Sequence, residues 1–304
     1  MLPFLLAVLA PFAGKGADAG RASAAAPTYL WEVVSECPAG VLLMRAPLYP
    51  GRLGVFRDWG CAIDYLEVDG RRVQLSNDQA AFSVPLEWEP TPRVFGACNA
   101  EGCQALVAEI AAVRYPQSFV AVDNKFVAPP ASEKTRIERD REHIAAAFAV
   151  GELGAPSPLW EGEFELPRPP VFTSMFGAER VISDKTKPKA EPKRTRHLGL
   201  DFDGEIGEPI EAVQSGVVVL AEPLFYSGGT VFINHGGGLF TTYFHMSEIK
   251  THVGQKVSAG SLLGLVGKTG RVTGPHLHFS AKWHGAYFDP EELFESFDQG
   301  PLSE

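Results

Sequence analysis

The sequence predicts a mostly β protein with an N-terminal immunoglobulin-like β-sandwich, a linker helix and a C-terminal antiparallel β-sheet domain. The length of 304 residues suits two domains rather than one. Both halves hold short runs rich in β-branched and aromatic residues that alternate with turn residues, among 24 prolines and 31 glycines. One segment between the two halves has the apolar spacing of a helix.

Residues 1–26 are predicted to be a secretory signal peptide. The apolar run Leu2–Phe12 is followed by small-residue cleavage sites, the first at Ala17–Ala19, although no basic residue precedes Lys15. A buried strand or a membrane anchor is the alternative, but the run is shorter than the about 20 residues that cross a bilayer. We expect export from the cytoplasm, with no integral membrane span after signal cleavage.

Residues 27–130 are predicted to form the β-sandwich, because short strand-like runs follow one another with turn residues between them. The clearest of these runs are Gly40–Met44, Cys61–Val68, Arg72–Leu75 and Phe119–Val122.

Four cysteines lie in this first half of the chain, and exported proteins form disulfides. Three pairings are possible. We expect Cys98 to pair with Cys103, which closes a small loop, and Cys37 to pair with Cys61. Free buried thiols are the alternative if the chain stays in a reducing compartment.

Residues 131–158 are predicted to be a linker, with a helix that starts at Ser132, runs through Ala149 and ends at Gly151. We expect one stripe of this helix to pack between the domains. Residues 159–304 return to a strand pattern and form the second domain; its clearest runs are Ile210–Val213, Gly216–Leu220, Thr230–Asn234, Leu239–Phe244 and Leu262–Val266.

The segment Lys185–Arg196 is strongly basic and has no apolar periodicity. This composition predicts a solvated, mobile loop. Contact with an anionic polymer such as the cell wall is the alternative, because the segment lies next to His197.

Histidines cluster in the last third of the chain at spacings that suit a metal site. His276 and His278 are two residues apart, so in a strand both side chains point to one face. His197 and Asp201 are four apart, too far for a flat strand, so the chain must bend near Gly199. Nitrogen and oxygen donors of this kind bind catalytic zinc, which takes three protein ligands and leaves one position open.

Three ordered motifs resemble those of the lysostaphin or LytM-type zinc endopeptidases, and the resemblance covers residues 159–294. The motifs are His197–Asp201 (HLGLD), Tyr243–Met246 (YFHM) and Thr273–Phe279 (TGPHLHF). This resemblance implies that His197, Asp201 and His278 hold one zinc ion. It also implies that His276 is the general base, and that His245, with Tyr243 nearby, stabilises the oxyanion.

The same resemblance implies that the substrate is the peptide part of bacterial peptidoglycan. Disulfide-compatible export without wall-anchoring repeats favours the periplasm or cell envelope of a Gram-negative bacterium, with an extracellular location as the alternative. Cross-links between D-alanine and diaminopimelate are expected there, and glycine bridges remain open. The alternative is a non-catalytic regulator that activates a cell-wall amidase through an empty groove. A lipoyl-type carrier is a weaker alternative, because it has no use for three histidine motifs. The net charge of −10 argues against nucleic acid as a partner, and we expect a monomer.

Overall fold

The computed structural model describes residues 30–75, 78–154, 157–187 and 191–295. The predicted signal peptide, residues 1–26, lies outside the described residues. Strands dominate the described part of the chain, which confirms the mostly β fold class. None of the helices in the described part has the length and apolar character needed to cross a bilayer.

Eight strands form two four-stranded antiparallel sheets at the N-terminal end, ordered β1-β2-β3-β6 and β5-β4-β7-β8. The sheets enclose a core that includes Leu42, Phe56, Phe82 and Phe95. The chain crosses between them at β3–β4, β5–β6 and β6–β7, as expected of an immunoglobulin-like sandwich. The strands are β1 Leu30–Cys37, β2 Gly40–Ala46, β3 Leu53–Trp59, β4 Tyr65–Val68, β5 Arg71–Gln74, β6 Gln79–Ser83, β7 Arg93–Asn99 and β8 Gly102–Ala108.

The four cysteines form the two predicted disulfides. Cys37 pairs with Cys61, and Cys98 pairs with Cys103. The second bond joins residues directly opposite each other at the end of the β7–β8 hairpin. Both bonds therefore lie within the sandwich and away from the histidine motifs.

The connection that follows contains strand β9 (Gln117–Val122), helix α1 (Asn124–Val127), a 3-10 turn (Ala131–Glu133) and helix α2 (Lys134–Gly154). Helix α2 continues past Gly151, so the predicted end of the linker helix is wrong. A glycine inside a helix costs only about 1 kcal/mol, which neighbouring turns can offset.

Helix α2 packs mainly on the C-terminal sheet. Near its start, Ile137 lies in one cluster with Phe126, from residues 27–130, and Phe225, from the C-terminal region, so the helix contacts both parts of the chain as expected. The Phe148 ring lies 5.0 Å from the ring of Phe232 and 5.1 Å from that of Phe240, measured between centroids. The Asp140 carboxylate accepts the backbone N–H of Phe225 at 2.6 Å. The outer face of this sheet is itself apolar, and the helix covers it.

The C-terminal region is built around an antiparallel sheet ordered β10-β13-β21-β17-β16-β15-β19, with β22 attached to β21. Its core on the other face includes Leu200, Phe202, Tyr243 and Phe279. The elements are β10 Phe172–Ser174, β11 Glu179–Asp184, β12 Lys193–Arg196, β13 Leu200–Asp203, β14 Pro209–Glu211, β15 Gly216–Leu224, β16 Gly228–Asn234, β17 Leu239–Met246, β18 Glu248–Ile249, β19 Lys256–Val257, β20 Leu262–Leu265, β21 His276–Trp283, β22 Ala286–Phe288 and α3 Glu291–Glu295.

A small separate sheet, ordered β12-β11-β9, joins the two halves of the chain. Strand β9 comes before the linker helix in the chain and β11 comes after it, yet the two strands pair in parallel. Strand β12 is the end of the basic segment, so the expected mobile loop is wrong for Lys193–Arg196. Its backbone pairs with β11 while all four side chains stay exposed to water, which keeps their charges solvated.

The sandwich also contacts the end of the C-terminal region directly. The buried Glu292 carboxylate accepts the backbone N–H of Leu53 at 2.6 Å. Arg52 forms an ion pair with Asp289 at 3.3 Å. Leu53 itself belongs to the C-terminal core, so the two regions share packed side chains.

Candidate metal centre

The candidate site lies on strands β13, β21 and β17, which are neighbours in the C-terminal sheet. Asp201 on β13 is directly opposite His278 on β21, so both side chains point to the same face. His197 lies in the bend before β13. Its N–H donates to the carbonyl of Ala178 at 2.8 Å, and its carbonyl accepts the N–H of Gly177 at 2.8 Å. These two bonds turn the His197 ring toward the pair.

Three ligand atoms converge at this point. His197 Nε2 lies 3.0 Å from Asp201 Oδ1 and 3.0 Å from His278 Nδ1. His278 Nδ1 lies 2.8 Å from Asp201 Oδ1. The three side chains are buried, with residue exposures of 1%, 6% and 7% for His197, Asp201 and His278. The predicted ligand set is therefore brought together as one compact group.

In His197 and His278, the ring nitrogen that does not belong to the three-atom group contacts another polar group. His197 Nδ1 donates to the carbonyl of Met175 at 2.7 Å, which leaves Nε2 of the neutral ring with a lone pair. His278 Nε2 lies 2.8 Å from the Ser280 hydroxyl. Outer hydrogen bonds of this kind fix the ring and the tautomer of metal-ligating histidines.

The charges of the group suit a divalent cation. Burial raises the pKa of Asp201, but hydrogen bonds from His197 and His278 outweigh it and hold that pKa well below its usual range. Burial lowers the pKa of His278 to about 4, so this ring is neutral at pH 7. With neutral rings, three lone pairs face one another unless a proton or a cation lies between them. Two imidazoles and one carboxylate are a ligand set of catalytic zinc.

His276 and His245 border the group. His276 Nε2 lies 3.7 Å from Asp201 Oδ1, and the His245 ring centroid lies 4.9 Å from that of His276. His276 Nδ1 donates to the carbonyl of Gly274 and His245 Nδ1 to that of Thr269, each at 2.9 Å. Because a carbonyl only accepts, Nε2 of each neutral ring is a proton acceptor.

The backbone conformation of His245 brings it to this face. In a regular strand, Tyr243 and His245 would point to the same side. His245 instead has a φ of 67°, and this left-handed conformation turns its side chain away from the core.

Tyr243 lies on the opposite face of the sheet, which corrects the expectation that it lies near the site. Its side chain is fully buried in the core, with its ring 5.2 Å from that of Phe279. Its hydroxyl accepts the N–H of Val213 at 3.1 Å and is also bonded to the Thr241 hydroxyl. Burial raises the pKa of Tyr243 far above its usual value.

Four further residues support the site, and of these only Gly199 was named from the sequence, as the place of the bend. Arg180 on β11 forms an ion pair with Oδ2 of Asp201. Phe244 stacks on the His278 ring, with centroids 5.0 Å apart and planes 15° apart. A Cβ at Gly199 would lie 2.2 Å from the carbonyl oxygen of Phe279 and 2.9 Å from His278 Nε2. The Ser280 hydroxyl contacts His278 Nε2. Residues two apart on a strand point to the same face, so this spacing could have identified Ser280 from the sequence.

Residues 195–290 match the model of peptidase family M23, and this segment contains all five residues of the site. Residues 195–290 are therefore a peptidase M23 domain. The M23 segment begins at strand β12 and ends just before helix α3, so the sandwich and the linker helix lie outside it.

Curated relatives of this chain include two named proteins. Over 103 residues it is 49% identical to the peptidoglycan DD-endopeptidase ShyA of Vibrio cholerae, which covers 33% of this chain and 24% of the relative. Over 85 residues it is 41% identical to lysostaphin of Staphylococcus staphylolyticus, covering 27% of this chain and 18% of the relative. The matched segments thus span about a quarter or less of these relatives' length.

A solved structure shares a larger part of the fold. A peptidase of family M23 from Pseudomonas aeruginosa has a TM-score of 0.57 and 27% identity, covering 82% of this chain and 95% of that chain. The similarity therefore extends beyond the M23 segment into the regions that surround it.

Proposed function

We propose that this protein is an exported, zinc-dependent endopeptidase that hydrolyses peptide cross-links of bacterial peptidoglycan. The observation that carries the proposal is the convergence of His197 Nε2, Asp201 Oδ1 and His278 Nδ1 within 3.0 Å of one another. Beside them lie two histidines whose Nε2 atoms are free to exchange a proton. A zinc ion, when bound, supplies a Lewis acid that polarises a carbonyl and makes water a better nucleophile near neutral pH.

The residues of the chain supply the proton transfers. His276 accepts the proton of the attacking water at Nε2, because its Nδ1 is held as a donor by the Gly274 carbonyl. The same ring can then deliver that proton to the leaving amine. The backbone anchor keeps the ring in one orientation during both transfers.

His245 is proposed to stabilise the oxyanion, and its surroundings set a condition on that role. Burial lowers the pKa of His245 well below its usual value, and the neighbouring His276 and His278 rings lower it further. The resting ring is therefore neutral, with its proton on Nδ1 toward Thr269. To donate to the oxyanion, the ring needs its proton at Nε2, so this role requires the other neutral tautomer with the Thr269 contact released.

The names of the relatives support the substrate class. ShyA is named a peptidoglycan DD-endopeptidase, and proteins named DD-carboxypeptidase/endopeptidase Mpg from Neisseria meningitidis share 37% identity with this chain over 94 residues. A substrate in the cell wall agrees with the two disulfides, since such bonds persist outside the cytoplasm. Export by a signal peptide in residues 1–26 remains part of the proposal.

Digestion of cross-linked muropeptides by the purified full chain tests this function. The wild type is expected to convert dimers to monomers and to carry one zinc ion per chain. His278→Ala should lose both zinc and activity, whereas His276→Ala should lose activity and keep zinc. His252→Ala, which changes an exposed histidine outside the site, is the matched control.

The regulator alternative predicts a different result. A non-catalytic activator of an amidase cleaves no cross-link itself, and its effect on the amidase does not require His276. Stoichiometric zinc without cleavage of any peptide bridge would contradict the proposed function.

A further inference from the structure

Arg271 lies on the loop that leads from Thr269 to His276, beside the candidate site. Its backbone N–H donates to the carbonyl of Tyr226 at 2.7 Å. The carbon of its guanidinium group lies 5.3 Å from the centroid of the Tyr226 ring. The same loop holds His245 through the Thr269 carbonyl. Arg271 is therefore held against Tyr226, two residues after the carbonyl that anchors His245 and in the loop that ends at His276.

The guanidinium group of Arg271 makes no hydrogen bond or ion pair with any other residue that the structure describes. The side chain is nevertheless half-buried, and burial lowers its pKa. The positive charge of Arg180 lowers that pKa further, so the two arginines are within electrostatic range of each other. Charged groups withdrawn from water are normally paired, and this one has no acidic partner in the described chain.

Arg180 adds a second, partly engaged guanidinium group. One of its terminal nitrogens bonds to Asp201 and to the Ser174 hydroxyl. Its Nε atom is buried and has no hydrogen-bond partner. The wall of the site between Arg180 and Arg271 thus carries excess positive charge, whereas the whole chain has a net charge of −10.

We propose that Arg271, assisted by Arg180, forms a carboxylate subsite that selects cross-links with a free carboxylate next to the scissile amide. This inference rests on the proposed function. A cross-link from D-alanine to diaminopimelate has such a group, because the carbon attached to the scissile nitrogen also carries a carboxylate. A glycine bridge has none beside its internal amides. The subsite therefore assigns the chain to carboxylate-bearing cross-links.

The chemistry of the arginine side chain fits this role. A guanidinium group binds a carboxylate through two parallel, charge-assisted hydrogen bonds. The ring of Tyr226 holds Arg271 in place, so little side-chain freedom is lost on binding. The loss of one charge-assisted interaction of this kind corresponds to about a 10- to 100-fold loss of affinity or kcat/KM.

The test compares two substrates that differ in one group. One is a cross-linked muropeptide dimer with the free carboxylate beside the scissile amide, and the other is the same dimer with that carboxylate converted to a carboxamide. The zinc-loaded full chain should prefer the carboxylate form by about 10-fold or more in kcat/KM. Arg271→Gln should reduce this preference to about one, mainly through KM, and Arg271→Lys should restore part of it. Arg141→Gln, at an exposed position of helix α2, is the matched control.

Binding supplies a readout that does not depend on cleavage. Calorimetry measures the affinity for the released stem peptide with a free carboxylate and for its carboxamide form. The wild type should bind the carboxylate form more tightly, and Arg271→Gln should lose that difference. Equal binding of both forms by the wild type, or an unchanged preference in Arg271→Gln, would overturn the subsite. A wild type that binds selectively but cleaves neither dimer would instead overturn the proposed function.

Discussion

Asp201 and His278 lie directly opposite each other on neighbouring strands, with carboxylate Oδ1 2.8 Å from imidazole Nδ1. The register of β13 on β21 thus places two of the three proposed ligands without any loop. The third, His197, reaches them because its backbone is bonded to Gly177 and Ala178. Strands position ligands more rigidly than loops, so the group is preorganised before any ion binds.

Replacement of the carboxylate ligand should abolish tight zinc binding. Asp201→Asn keeps the shape of the side chain but removes its charge and leaves Arg180 without its partner. Since loss of an outer-sphere group alone costs 10- to 100-fold in metal affinity, we expect a loss of more than about 100-fold here. Zinc competition with a chromophoric chelator measures it. Asp203→Asn, an exposed acid on the same strand, should bind zinc like the wild type.

Removal of the Ser280 hydroxyl should weaken zinc binding without abolishing it. Ser280→Ala deletes the group that holds His278 Nε2, and we expect about a 10-fold loss of zinc affinity. Thr242→Val is a matched control, because Thr242 is the cross-strand partner of Ser280 and its buried hydroxyl has no hydrogen-bond partner. Equal zinc affinities of the two variants would contradict the role given to Ser280.

A methyl group at position 199 should disturb the site. In Gly199→Ala the new Cβ would lie 2.2 Å from the carbonyl oxygen of Phe279, so β21 or the bend has to move. We expect a loss of about 1–3 kcal/mol in the free energy of unfolding, together with weaker zinc binding. Gly274→Ala offers the comparison, since a Cβ there meets nothing within 4 Å. Chemical denaturation measures the free energy of unfolding of both variants. Equal losses in the two would contradict the steric role given to Gly199.

The buried His235 should make the stability of the metal-free protein depend on pH. Burial lowers its folded-state pKa from 6.5 to about 4, while the unfolded chain keeps the ordinary value. Between these values the unfolded state binds more protons, so stability falls as pH drops from 6.5 to about 4. One such group contributes a slope of up to about 1.4 kcal/mol per pH unit. Denaturation of chelator-treated wild type and His235→Gln should show a shallower slope in the variant; identical slopes would refute this assignment.

Much of the site could be predicted from the sequence because it depends on short-range spacing. The spacing of two positions from His276 to His278 puts both on one face of a strand, and the glycine at 199 indicated the bend that His197 needs. The expectation that Tyr243 lies near the site came from the family resemblance. The left-handed conformation of His245 turns this histidine to the site while Tyr243 stays on the core face. That conformation depends on contacts with the loop around Thr269, which spacing does not encode.

Arg180 and Arg271 could not be assigned from spacing for a related reason. Arg180 reaches Asp201 only because β11 lies beside the site, and β11 is held there partly by β9, which comes from before the linker helix. The basic segment was misjudged in the same way: its charges predict exposure, which is correct, but not the backbone pairing of Lys193–Arg196 with β11. Pairing between distant segments determines these features.

The most direct test of the central claim is an anomalous-scattering map, recorded at the zinc edge, from crystals of the zinc-loaded full chain. We expect one peak per chain, bonded to His197 Nε2, Asp201 Oδ1 and His278 Nδ1, with His276 and His245 beside it but not bonded to the ion. A peak bonded to other residues, or no peak at this group in zinc-saturated protein, would contradict it.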